Sequence, residues 1–226
     1  MATKTGQTAL LCDFDGTATY MDVGALVLDA FATGDWRSLE ESYETGERPI
    51  EDVLRSQFGM VRASRSRILE LVDKRVTFRK GFRPLVEYCK GNGIHFALVS
   101  YGLDLYINHL LDREGLKGKV GLHAARARLG PGGILISFPR PFIANSSNIK
   151  EDMVEHFRRR QFRVLYAGDG VSDFPAAKAA DVCFAVRGSK LAELCGSRGV
   201  RYNAFASFGS VEAYLKQGSA VGPVER

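Results

Sequence analysis

Four short apolar runs, separated by stretches of helical periodicity, constrain this chain more than any other feature. They are residues 8–14 (TALLCDF), 94–100 (IHFALVS), 163–167 (RVLYA) and 182–186 (VCFAV). Runs this short and apolar throughout are what strands buried on both faces require. Amphipathic segments follow them at 103–111 and 174–180, and others precede them at 82–90 and 149–160. Gly91-Asn92-Gly93 stops the 82–90 segment, a glycine signal for a helix C-terminus. Strands alternating with helices imply an α/β fold with a parallel sheet covered on both faces. A hairpin is expected over residues 126–138, where ARARL and ILISF flank Gly-Pro-Gly-Gly.

Between the first and second runs the periodicity is wholly helical, from Val23 to about Val76. Glycines and Pro49 divide this stretch into three or four helices. The expected organisation is a Rossmann-like core of residues 1–17 and 80–226 and a compact helical insert of residues 18–79. The last nine residues, GSAVGPVER, read as a frayed tail.

At 226 residues and 45% hydrophobic, the chain can bury one large core. A net charge of +5 suits an anionic ligand and general solubility equally. Cys12, Cys89, Cys183 and Cys195 form no CxxC pair, so buried free thiols are expected in place of a zinc site or disulfides. The N-terminus lacks a signal-like apolar run, and no stretch approaches the roughly 18 apolar residues of a membrane span. A cytoplasmic protein without a membrane partner is expected. The basic run from Arg158 to Arg163 ends a helix, where cations complement the dipole. It lacks interleaved aromatics, so no nucleic-acid partner is expected. Nothing in the sequence specifies an oligomeric state.

In parallel sheets the ligand crevice lies at the carboxyl ends of the strands. The polar residues there are Asp13 and Asp15, Ser100, and Asp169 with Asp173. Four carboxylates brought to one edge repel unless a cation offsets them. Magnesium, which takes a few carboxylates together with waters and phosphate oxygens, fits such a set. A carboxylate beside that cation can attack phosphorus, and its neighbour can exchange protons with the leaving group. Ser100 and a lysine can stabilise the phosphoryl oxygens.

These residues carry a resemblance. Asp13-Phe14-Asp15-Gly16-Thr17 after an apolar strand resembles the first motif of the haloacid dehalogenase (HAD) superfamily. Val99-Ser100-Tyr101-Gly102 resembles the second, Lys150 at a helix start the third, and Gly168-Asp169-Gly170-Val171-Ser172-Asp173 the fourth, in the right order. The resemblance implies that Asp13 is a nucleophile and Mg²⁺ ligand. Asp15 would be the general acid/base and offer its backbone carbonyl to the metal. Asp169 would ligate Mg²⁺, and Asp173 would support the site directly or through water. Ser100, Tyr101, Gly102 and Lys150 would bind the phosphoryl group. Lys178 and Lys190 are rivals for the lysine, with Lys150 better placed ahead of the fourth motif.

An insert between the first two motifs implies a small phosphorylated metabolite as substrate. The hairpin near Gly130 makes the chain similar to the phosphoserine-phosphatase-like branch. Within it, Lys80-Gly81-Phe82, Ser100-Tyr101-Gly102-Leu103-Asp104, and Ala176-Ala177-Lys178 leading into Asp181-Val182-Cys183-Phe184-Ala185 resemble the 2-hydroxy-3-keto-5-methylthiopentenyl-1-phosphate phosphatases. Phosphoserine phosphatases carry a Glu soon after the first motif and an Arg in the insert. Here Asp22 and Arg37, Arg48, Arg55 or Arg62 stand as the nearest equivalents. Phosphoethanolamine or phosphocholine phosphatase, with Tyr20, Trp36 and Tyr43 near the amine, is a further alternative. A phosphomutase, or a HAD-like binder without catalysis, represents another class. The second would be expected to have lost one of Asp13, Asp15, Lys150, Asp169 or Asp173, and all five are present.

Overall fold

The computed structural model describes residues 7–144 and 146–218. At its centre, strand β1 (Thr8–Cys12) runs parallel to β2 (His95–Leu103) on one side and β5 (Arg163–Gly168) on the other. The sheet continues outward through β3 (Gly121–Gly130) and β4 (Gly133–Ser137) at one edge. At the other edge lie β6 (Val182–Val186) and β7 (Asn203–Phe205), giving the order β4-β3-β2-β1-β5-β6-β7. All neighbours are parallel except β3 and β4, which form the hairpin around Pro131-Gly132.

Both faces are covered, as the unbroken apolar runs demand. Leu10 and Cys12 face a cluster with Leu85 of helix α5 (Phe82–Gly91), Tyr106 of α6 (Asp104–Arg113) and Val211 of α10 (Phe208–Gly218). Ala9 and Leu11 face the opposite cluster. There they meet Val154 of α7 (Ile149–Arg159), Ala176 of α8 (Phe174–Ala179) and Leu191 of α9 (Lys190–Ser197). Each fully buried Leu or Val contributes about 1.5–3 kcal/mol relative to exposure. A one-residue slip of β1 would exchange the two faces.

The stretch between β1 and α5 carries four helices: α1 (Val23–Phe31), α2 (Arg37–Glu44), α3 (Ile50–Gly59) and α4 (Arg65–Arg75). Asp22 caps α1 by accepting from the Ala25 amide at 2.7 Å, and Ser64 caps α4. Val27, Phe58, Ile68 and Val72 join the cluster that contains Leu10, so the insert packs on one side of the sheet. The chain enters and leaves the insert side by side, through a bridge between Thr19 and Phe78. Arg79 clamps that junction. Its amide donates to Ala18 O, Nε to Thr17 O at 2.8 Å and Nη2 to Gly16 O at 2.6 Å.

Some boundaries differ from the sequence expectation. β2 passes beyond Ser100 to Leu103, with its register against β3 shifting between those residues, and α6 begins one residue later than its apolar pattern. Such a bulge re-aims the side chains it carries. Beyond residue 186, α9, β7 and α10 were not anticipated. β7 is three residues long, too short for a periodic signal. Ser189, which caps α9 from 3.2 Å, was the available cue. The expected frayed tail, from residue 219 onward, lies outside the described residues. All four cysteines are buried and free. Among the described residues, no helix is long and apolar enough to cross a membrane.

Candidate active site

The site is built at the carboxyl ends of β1, β2 and β5. The backbone leaves β1 at Asp13, whose amide still bonds Ala167 O, and turns at Gly16. Gly16 has φ +75°, and a Cβ there would collide with the Asp169 carboxylate, so glycine is required twice over. Thr17 Oγ1 then donates to Asp169 Oδ1 at 2.7 Å, tying the turn after β1 to the loop after β5.

Lys150 emerges from the first turn of α7, which Asn148 caps through the amides of Lys150 and Glu151. Its Nζ lies 2.8 Å from Asp13 Oδ1 and 2.6 Å from Asp173 Oδ1, and it donates to Ser172 Oγ at 3.0 Å. Asp173 is fully buried. Tyr166 Oη also donates to its Oδ1, while the amides of Asp169 and Gly170 donate to Oδ2 at 2.9 and 2.8 Å. Of the rival lysines, Lys178 is exposed and outside the pocket, whereas Lys190 lines it.

One oxygen each from Asp13, Asp169 and Asp173 falls within a 4.8 Å group that could hold a metal. The Asp15 carboxylate is not part of that group. It turns toward α1, where Oδ1 accepts from the Val23 amide at 2.9 Å, and Oδ2 lies 3.4 Å from Ser100 Oγ. Ser100 Oγ in turn accepts from the Gly102 amide at 2.9 Å. Gly102 has no room for a side chain, because a Cβ would press on Asp15 Oδ2, Tyr106 Oη and Ser100 Oγ. Tyr101 lines the same pocket, its ring 5.8 Å from Lys150 Nζ.

Burial dominates the electrostatics. It pushes the Asp13 carboxyl well up, against the pull of Lys150. It takes Asp15 up to about 8, with help from the Asp22 charge, and Asp169 up to about 6, with help from Asp173. Burial alone would lower Lys150, but Asp13 and Asp173 outweigh it and hold the ammonium charged. Asp13, Asp169 and Asp173 around one buried lysine leave more acidic groups than basic ones. Hard oxygen donors with that excess suit a divalent cation. Asp13 and Asp169 are the better placed to ligate it directly, since both Asp173 oxygens already hold protein donors.

Above the carboxylates lies a pocket of about 330 Å³. The insert supplies its apolar wall through Leu28, Trp36, Ile50, Val53, Leu54 and Phe58. No arginine lines it among the described residues. Arg37 pairs with Asp29, Arg55 with Glu51 and Asp52, Arg48 binds Ser56 Oγ, and Arg62 binds Gly59 O. Asp22 borders the pocket, surrounded by protein yet exposed into it. Tyr106, Gly24 and Tyr166 were not singled out from sequence. Gly24 falls inside an apolar helix and both tyrosines within apolar patterns, so each looked like core.

A family model described as haloacid dehalogenase-like hydrolase matches residues 10–178. A bifunctional enzyme MtnB/MtnX of Bacillus licheniformis is 30% identical over 94% of this chain, which spans 50% of that longer protein. A 2-hydroxy-3-keto-5-methylthiopentenyl-1-phosphate phosphatase of Bacillus velezensis is 28% identical, covering 93% of this chain and 95% of its own. Among solved structures, a phospho-aspartyl intermediate analogue of phosphoserine phosphatase superposes with a TM-score of 0.68. It has 17% identity and covers 93% of this chain and 99% of its own, a likeness of fold. With its motifs gathered at one strand edge and a family match spanning most of its length, the chain belongs to the haloacid dehalogenase-like hydrolases.

Proposed function

We propose that the protein is a Mg²⁺-dependent phosphomonoester hydrolase in which Asp13 is the nucleophile. The observation that carries this is the buried Asp13–Lys150–Asp173 arrangement, with Asp169 beside it and Asp15 standing apart from it. Asp13, Asp169 and the Asp15 carbonyl, with Asp173 behind them, would hold Mg²⁺, which when bound would supply positive charge for the phosphoryl oxygens. Lys150 shares that task and favours the ionised form of Asp13 against the effect of burial. Asp13 attacks phosphorus, forming an acyl phosphate while the ester oxygen leaves. Asp15, protonated at neutral pH, gives its proton to that oxygen and then takes one from the water that hydrolyses the acyl phosphate. Ser100 and the backbone around Tyr101 and Gly102 position the phosphoryl group. The four-helix insert, residues 18–79, acts as a cap that excludes bulk water.

The cap also selects the leaving group. A wall of Leu28, Trp36, Val53, Leu54 and Phe58, with no lining arginine among the described residues, suits an apolar tail and disfavours a carboxylate. We therefore favour the methionine-salvage enol phosphate over phosphoserine as substrate. Asp22 and Glu40, with Trp36 and Tyr43 lining the same pocket, favour a second reading, a cationic leaving group such as ethanolamine or choline. Phosphate release from these four esters, with Mg²⁺ and with EDTA, tests both readings. Mg²⁺-dependent release concentrated on the enol phosphate, and lost in a folded Asp13→Asn variant, is expected. Turnover by Asp13→Asn equal to the parent's would refute the mechanism.

A further inference from the structure

The first turn of α7 carries more ties than a helix start needs. Glu151 Oε2 accepts from the Ser147 amide at 2.7 Å and from Ser147 Oγ at 2.6 Å. Asp152, fully buried, accepts from the amides of Phe142 and Ile143 at 2.9 and 2.8 Å and from Ser146 Oγ at 3.0 Å. Both acids thus hold the segment that precedes the helix. Among the described residues, the hydrogen bonds from this turn to the loop after β5 come from two other side chains, Lys150 and Asn148.

Asn148 uses both ends of its amide. Oδ1 caps α7, accepting from the amides of Lys150 and Glu151 at 3.0 and 2.9 Å, and Nδ2 donates to Ser172 O at 2.9 Å. Capping alone does not account for this residue, because Asn, Asp and Ser cap about equally well and Thr nearly so. Of the four, only Asn carries its donor and its acceptor on separate atoms, able to face opposite partners at once. Lys150 Nζ meanwhile donates to Ser172 Oγ at 3.0 Å. Ser172 is therefore gripped at its carbonyl by one residue of the turn and at its hydroxyl by another.

We propose that Asn148 is a positioning residue, a brace that keeps Lys150 in register with Ser172 and Asp173 while Asp13 carries the phosphoryl group. The proposal rests on the phosphatase reading. Before attack, the Asp13 carboxylate itself holds the ammonium, 2.8 Å away. Once Asp13 is an acyl phosphate its carboxylate charge is gone, and that half of the lysine's anchorage weakens. The bond from Asn148 to Ser172 O depends on no charge at Asp13, so it persists through both half-reactions. It matters more in the second, when water attacks phosphorus and Lys150 must meet the charge returning to the Asp13 oxygen. A shift of about an ångström in such a group can cost on the order of 100-fold in rate.

Asn148→Ser and Asn148→Thr test this, since each keeps a cap and removes the amide donor. The probe is p-nitrophenyl phosphate labelled at phosphorus, with Mg²⁺ and rapid acid quenching to trap labelled protein. Decay of the labelled protein, after dilution into unlabelled ester, is expected to slow by about tenfold or more in both variants, and its formation by less than about threefold. Melting should fall by about 1–6 °C, the loss of one hydrogen bond. Decay at the parent's rate in both variants, or equal slowing of the two half-reactions, would overturn the brace alone. Slowing confined to Asn148→Ala, which loses the cap as well, would make the residue a helix cap and overturn it too. A folded parent that neither takes up label nor releases phosphate overturns the phosphatase reading and the brace with it.

Discussion

Replacing Lys150 by Met should unfold the protein about 6–20 °C earlier at pH 7.5 in the absence of Mg²⁺. The ammonium lies 2.8 Å from one carboxylate and 2.6 Å from another, with the lysine side chain only 4% exposed. At an effective dielectric of about 20, charges roughly 4 Å apart attract by about 4 kcal/mol. Two such attractions are offset by the desolvation of the lysine. Truncating one member of a buried pair accordingly costs about 3–5 kcal/mol net. For a chain of this length each kcal/mol moves Tm by about 2–4 °C. The sign with pH follows from the groups left behind. Lys150 has a raised pKa, so its contribution is complete below the ordinary lysine range and lost only at strongly alkaline pH. Asp13, already raised by burial, rises further without the lysine, and once protonated it no longer needs a cation. The deficit of Lys150→Met should therefore shrink as pH falls toward 4. Differential scanning calorimetry from pH 4 to 8 measures this. A deficit of less than about 2 °C at pH 7.5, or one independent of pH, would refute the reasoning.

Other outcomes follow from the same geometry. Gly102→Ala should fold, because its backbone is not in the left-handed region, yet lose about 100-fold in kcat as Asp15 is displaced by roughly an ångström; a steady-state assay with less than about a fivefold loss would contradict it. Mg²⁺ at 100 times its Kd should add about 2.7 kcal/mol of stability, a Tm rise of roughly 5–11 °C. Asp169→Asn should abolish most of that rise in thermal shift. Asp15, raised to about 8, loses its transferable proton as pH climbs through that value, so single-turnover acyl phosphate formation should decline on the alkaline side. Asp22→Asn removes the charge that raises Asp15 most after burial, and should move this decline to lower pH.

Much of the fold was legible because strands buried on both faces leave runs such as residues 8–14 and 163–167 with no competing reading. The carboxylates were legible for a related reason. Asp13 and Asp15 stand at the end of the first run and Asp169 and Asp173 in the loop after the third, and a parallel sheet sends such positions to one edge. Lys150 could be placed from its helix start, although its simultaneous contact with Asp13 and Asp173 appears only in three dimensions. Tyr106 could not be read as a pocket residue, since its spacing from Leu103, Leu110 and Leu111 is that of a core helix face. The segment after residue 186 escaped for a different reason. An edge strand of three residues takes its stability from the neighbour it pairs with, so β7 has almost no local pattern of its own.

The Arg79 clamp has a consequence for how such an enzyme diversifies. One guanidinium fixes the carbonyls of Gly16 and Thr17, while the chain returns from the insert beside the point where it left, Phe78 paired with Thr19 and the Arg79 amide bonded to Ala18 O. Anything spliced between those neighbouring ends meets the same anchorage, whatever its length, because closing a longer excursion adds only about 0.6 kcal/mol per doubling. The turn after β1 is thereby insulated from the architecture above it. Selection can remodel the roof, and with it the guest, while the hearth stays as it was.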